Sequence, residues 1–311
     1  MHHSPSKCAN SQGRSEGAGQ IIEIRYALMM TRAQTDQRDA WITISIFMGI
    51  LCGLSAIAHF AILELNPTSL YVGALMLTPA IAALATQKIR GRTISSLPWA
   101  WGKWRSNIQA YLVPVAYIAL AYGLIWAFGL GTPFNPETLS EWSDDLGFPP
   151  NVPAVSMFVM IALLASVQLV KSLGSIAGEE IGWRGFLVWE LRKVMPFGAV
   201  SVVSGLIWAA WHYPIVIKYG GGDPLFQVAC FTLMITAMSV IMTYFTFKSG
   251  SVWPAIMFHA AHNIFIQKIF TPLTGETAGT QMWIDEYGLM IPLVVTGFAL
   301  FYWRKAKAEG F

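Results

Sequence analysis

Charge is scarce in this 311-residue chain: Asp, Glu, Lys and Arg together make up 12% of it, about half the share usual in a soluble domain. So little charge cannot wet a globular surface of this size. Cysteine is scarce too. Cys8, Cys52 and Cys230 are odd in number and form no C-x-x-C pair, so neither a disulfide framework nor a cysteine-held zinc site is expected. The net charge of +3 is small and the basic residues fall in short separate clusters, which excludes a nucleic-acid-binding patch. No internal repeat appears, so the inverted halves of a transporter find no support. The H-E-x-x-H helix of common zinc proteases is missing, and no Ser nucleophile with a paired base is evident. The first thirty residues contain no long apolar core, so a cleaved signal peptide is not expected. Residues 1–38 are expected to be a disordered tail, with Met29 and Met30 as alternative starts.

What the chain has in abundance is apolar sequence. Hydrophobic residues make up 55% and the mean hydropathy is +0.51. Apolar stretches run over Trp41 to Leu63, Leu70 to Thr86, Tyr111 to Leu130, Pro153 to Ala177, Phe197 to Ile217, Leu225 to Phe247, Val252 to Phe270 and Tyr287 to Trp303. A helix crosses a bilayer in roughly 20 residues, so these predict about eight transmembrane helices. Alternating strand patterns are absent, and backbone groups in lipid must be satisfied within the segment. The fold class expected is therefore an all-α, polytopic integral membrane helical bundle over 39–305, followed by a short tail at 306–311.

Charge sets the orientation. The loop after the second stretch carries Lys88, Arg90, Arg92, Lys103 and Arg105 without an acid, interleaved with Trp99, Trp101 and Trp104, whereas the loop after the third carries Glu137, Glu141, Asp144 and Asp145 without a base. By the positive-inside rule the first is cytoplasmic, and alternation then places both termini in the cytoplasm. The location expected is the cell membrane.

Ionisable residues in apolar helices are costly and mark functional sites. They gather in Gly178-Glu-Glu-Ile-Gly-Trp-Arg-Gly185, in Trp208-Ala-Ala-Trp-His212 and in His259-Ala-Ala-His-Asn263. Glu180 and Arg184 are four residues apart, so on a helix they share a face and can pair, leaving Glu179 to point elsewhere. His259 and Asn263, also four apart, present an imidazole and an amide side by side. Counted at about 1.5 Å per residue from the cytoplasmic ends, Glu179 lies about 20 Å deep, His212 about 22 Å, His259 about 12 Å and Asn263 about 18 Å. A buried Glu beside His can take a proton from water, and an imidazole–amide pair can hold an oxyanion, the two requirements of amide hydrolysis. Singly, each of these residues is equally well a polar contact between helices, and His59 and Lys171 are read that way, while Trp183, Trp208 and Trp211 are read as packing or interfacial residues.

Taken together, in order, spacing and helix placement, the three motifs resemble the CPBP family of intramembrane proteases, also called the CAAX protease and bacteriocin-processing or Rce1-like family. The resemblance covers about Pro153 to Phe270. It implies that Glu179 is the catalytic base with His212 beside it activating water, that Glu180 and Arg184 are the supporting pair, and that His259 and Asn263 stabilise the oxyanion. It implies an intramembrane endopeptidase acting on membrane-associated substrates, the best-known reaction being removal of the last three residues of prenylated CAAX proteins; the partners are then a protein or peptide substrate and the bilayer. Trp208 stands where the family usually has Phe, and His262 offers a second imidazole beside Asn263, so either ring can face the cavity. Zinc or another divalent metal on Glu179, His212 and His259 is compatible with the donor types; a metal-free, glutamate-activated water is favoured. The competing readings are a non-catalytic scaffold or bacteriocin-immunity-type protein on the same fold and, more remotely, a proton-linked transporter.

Overall fold

The computed structural model describes residues 34–65, 67–149 and 151–311. Most of the expected tail, 1–38, lies outside the described residues. The helices are α1 (Ala9–Phe60, described from Gln34 on), α2 (Ser69–Ile89), α3 (Trp104–Ala127), α4 (Pro136–Leu146), α5 (Pro153–Leu163), α6 (Leu169–Gly182), α7 (Val188–Arg192), α8 (Phe197–Tyr219), α9 (Pro224–Ser249), α10 (Trp253–Asn263) and α11 (Met290–Ala308). A single antiparallel pair, β1 (Thr132–Pro133) with β2 (Thr274–Gly275), ties two loops together. The chain is an all-α polytopic membrane bundle.

Among the described residues six helices are long and apolar enough to cross a membrane: Gln34–Leu65, Ser69–Ile89, Trp104–Ala127, Pro153–Arg192, Phe197–Tyr219 and Pro224–Ser249. The other two expected stretches are helical as well. Trp253–Asn263 runs on through a π-helical stretch, Ile264–Phe270, and Met290–Ala308 forms the last helix. Helix ends follow local chemistry. Asp223 caps α9, its carboxylate accepting from the Phe226 N–H at 2.8 Å with Pro224 at the first position, and Gly250 ends that helix in the left-handed conformation.

The Pro153 stretch was expected to end near Ala177, yet the helix continues to Arg192. Two π-helical turns, Leu164–Gln168 and Trp183–Leu187, sit within it. The polar residues from Glu179 to Arg184 do not end the helix because they are buried against partners rather than facing lipid. Its first half is lipid-facing in character, with Val155, Phe158, Val167 and Val170 exposed.

Small residues let α2 close on α6. A side-chain carbon on Gly178 would lie 2.7 Å from the Met76 carbonyl, and one on Gly182 would lie 2.3 Å from the Pro79 ring. This small-xxx-small spacing brings two backbones together where apolar side chains alone give no preference between helix and lipid. α10 packs against α3, α6 and α9, while α9 runs along α8 and α11. The three motif-bearing helices, α6, α8 and α10, thereby meet inside the bundle. At the end carrying Lys88 to Arg105, Arg90 and Arg92 both pair with Asp39, and Arg92 also reaches Glu190 at 2.8 Å, linking α1, the basic loop and α7. Trp101 packs edge-on against Trp104 and at a tilt against Trp253, and the Trp253 indole donates to the Trp99 carbonyl at 3.0 Å.

Candidate active site

Glu179 sits on α6 with only 2% of its surface exposed. One of its oxygens, Oε2, accepts the indole N–H of Trp208 at 3.0 Å. Trp208, read from sequence as a packing residue, is thus a donor to the proposed base. Its ring also lies 4.2 Å below the Arg184 guanidinium and 5.1 Å, centre to centre, from the His259 ring. The free oxygen of Glu179 is left for a ligand.

His212 is one turn further along α8. Its Nδ1 lies 3.0 Å from the Trp208 carbonyl of the same helix. A carbonyl only accepts, so Nδ1 carries the proton and Nε2 presents a lone pair. Trp211 and Phe231 flank the ring at 4.7 and 5.2 Å between centres.

Glu180 and Arg184 are both fully buried. The Arg184 Nη1 donates to both carboxylate oxygens of Glu180, at 3.1 and 3.2 Å, as the i,i+4 spacing predicts. Glu180 Oε1 in turn takes His259 Nδ1 at 2.8 Å. The pair therefore acts on the second imidazole: it fixes the ring, with Nδ1 donating, and leaves Nε2 toward the cavity. Asn263, one turn on, has no side-chain hydrogen bond among the described residues and lines the same space. A π-helical turn follows each functional run, after Gly182 on one helix and after Asn263 on the other, a distortion common beside functional sites.

Glu179, His212, His259 and Asn263 all line one cavity of about 270 Å³, closed by Val72, Met76 and Tyr287 among others. The unequal depths counted along the helix axes do not keep them apart. His262, which the sequence leaves open as a second imidazole, also lines it, as do two residues with no role expected from sequence, Gln267 and Glu286. His262 is anchored from behind through Nδ1 by the Tyr117 hydroxyl, so of the two imidazoles in that motif His259 is the one tied to the Glu180–Arg184 pair.

Among the described residues no group of three or more His, Cys, Asp and Glu side chains converges into a set able to hold a metal ion. The Nδ1 atoms of His212 and His259 are committed to Trp208 and Glu180. Glu179, His212 and His259 line the cavity together without converging into such a set.

Residues 151–265 match the family of type II CAAX prenyl endopeptidase Rce1-like proteins. The chain is similar to "CAAX prenyl protease 2" of Methanococcus maripaludis, 23% identical over 164 residues, which is 50% of this chain and 56% of that protein. It is also similar to the uncharacterized protein YyaK of Bacillus subtilis, 26% identical over 161 residues, 48% of this chain and 51% of that one. The chain thus spans about half the length of the curated relatives it matches. The matched segment contains all three motifs, from Glu179 to Asn263, and over it this membrane protein is similar to the Rce1-like CAAX endopeptidases.

Proposed function

We propose that the chain is a metal-free intramembrane endopeptidase that hydrolyses a peptide bond of a membrane-associated substrate. The observation carrying this reading is the complementary set of groups in one cavity: Glu179 offers a free carboxylate oxygen, His212 a lone pair on Nε2, and His259 with Asn263 a donor pair. A water held by Glu179 and His212 has both hydrogens directed at acceptors, which aims an oxygen lone pair away from them. Glu179 takes a proton as that oxygen attacks the carbonyl carbon. His259, paired with Glu180 and so able to carry charge, and the Asn263 amide donate to the oxyanion. Walls of Trp, Phe, Met and Ile exclude bulk water, so these interactions act at low dielectric.

The substrate class we infer from the resemblance is a prenylated CAAX-type chain end or another peptide presented at the bilayer, cleaved in the cell membrane with both of the protein's termini cytoplasmic. Purified protein in detergent, given a quenched-fluorescence peptide library that includes prenylated CAAX peptides, tests this reading. Wild type should cleave with or without a strong chelator, while Glu179→Ala and His212→Ala, shown to be folded, should not. Chelator sensitivity would overturn the metal-free part, and full activity in Glu179→Ala would overturn the base. A folded wild type that cleaves nothing would favour a scaffold on this fold.

A further inference from the structure

Hydrolysis of an amide also needs a proton delivered to the departing nitrogen, either by the base once it is protonated or by a separate acid. The departing nitrogen is a very poor leaving group until it is protonated. Glu179 has one oxygen bound to Trp208 and spends the other on the water proton. The cavity contains a second carboxyl, Glu286, in the loop between Phe270 and α11 and beyond the family-matched segment. Resting on the hydrolase reading above, we propose that Glu286 is the general acid that protonates the departing amine.

Several independent features aim and hold this side chain. Asp285, immediately before it, is one of two non-glycine residues with positive φ among those described, at +65°, a conformation costly for a side chain and concentrated at functional sites. The Asp285 carboxylate accepts the Glu286 N–H at 2.7 Å, and the Asp285 N–H donates to the Tyr122 hydroxyl at 3.1 Å. Glu286 Oε1 accepts from the Gln267 amide at 3.0 Å and lies 3.6 Å from His262 Nε2. That nitrogen is buried with no hydrogen-bond partner of its own, so a Tyr117–His262 pair faces the acid with one unused position. Burial, and then the Asp285 carboxylate, push the Glu286 carboxyl up to about 7, so near neutral pH part of it carries a proton that it can give up. The ionisable groups facing it are Asp285 and Tyr287 beside it, His262 and His259 from α10, Glu179 from α6, and Tyr117 and Tyr122 from α3.

The step balances. Water's oxygen bonds to the carbonyl carbon as Glu179 takes one of its protons. The C–N bond then breaks with its electron pair on nitrogen, which takes the proton of Glu286. The products are a carboxylic acid and a neutral amine, and the proton now on Glu179 passes back to Glu286, restoring both groups.

The test compares a peptide the wild type cleaves with its thioester analogue, whose thiolate departs without a proton. Glu286→Gln should lower kcat on the amide by on the order of 10²-fold and leave the thioester within about threefold of wild type; Glu286→Asp should recover part of the amide rate. Without any substitution, wild-type kcat/KM on the amide should fall above pH about 7 while the thioester rate does not. Equal losses on both substrates, or an undiminished amide rate in Glu286→Gln, would overturn the role. Cleavage of neither substrate by wild type would overturn the hydrolase reading itself, and this role with it.

Discussion

Replacing Arg184 with Met puts the central ion pair to a quantitative test. Arg184 and Glu180 are fully buried and joined at 3.1 Å, so the substitution strands a carboxylate whose remaining side-chain partner is His259. Stranding one member of a buried pair costs about 3–5 kcal/mol. Some of this is offset, because Arg184 Nε and Nη2 are buried donors without partners and removing such groups returns about 1–2 kcal/mol. The expected net loss is about 2–3 kcal/mol. Glu180→Gln combined with Arg184→Met removes both charges and should return to within about 1 kcal/mol of wild type, since buried pairs are often neutral against uncharged replacements. Activity should not return with it, because the double variant lacks the carboxylate that orders His259. Equilibrium unfolding in mixed micelles against rising SDS, run beside peptide cleavage on the same samples, reads both quantities. An Arg184→Met variant within about 0.5 kcal/mol of wild type, or a double variant no more stable than the single, would refute the reasoning.

Other perturbations act on separate parts of the structure. Asn263→Ala should lower kcat by about 10²–10³-fold with little change in KM or unfolding free energy, as loss of one oxyanion donor does; a change confined to KM would make Asn263 a binding residue only. Gly182→Leu should prevent folding, because even its first carbon would lie 2.3 Å from Pro79, and a monodisperse, active variant on gel filtration would contradict the close α2–α6 contact.

Much of the site was legible because glutamate, histidine and arginine stand out against apolar helices, and i,i+4 spacing says which of them share a face. That logic placed Glu180 with Arg184 and put Glu179, His212 and the His259–Asn263 pair on three helices, leaving open whether they share one cavity. It could not show that Glu180 also holds His259, since the two lie on different helices. Nor could it find the Trp208 donor: an indole on an apolar helix is usually packing, and only its distance to Glu179 says otherwise. Glu286 was hidden among the acids of a loop, with no periodicity to fix its direction; the left-handed Asp285 that aims it is a backbone feature no side-chain pattern encodes. The long helix through Arg192 was read too short because buried, paired charges look in sequence like exposed ones. By contrast, α4 carries its own signals, with Asn135 as cap, Pro136 at the first position and Gly147 in the left-handed terminal position, although its acidic residues read as a loop.

Water activation in this cavity is the role proposed for Glu179. The most direct measurement is the initial rate of cleavage of a membrane-tethered peptide by protein in lipid nanodiscs, products weighed by mass spectrometry, for wild type and Glu179→Gln. That substitution keeps the side-chain volume and an oxygen that can accept from Trp208, and removes only the base. The expected result is a loss of about 10²–10⁴-fold in kcat at unchanged unfolding free energy; a Glu179→Gln protein cleaving within about threefold of wild type would contradict the account.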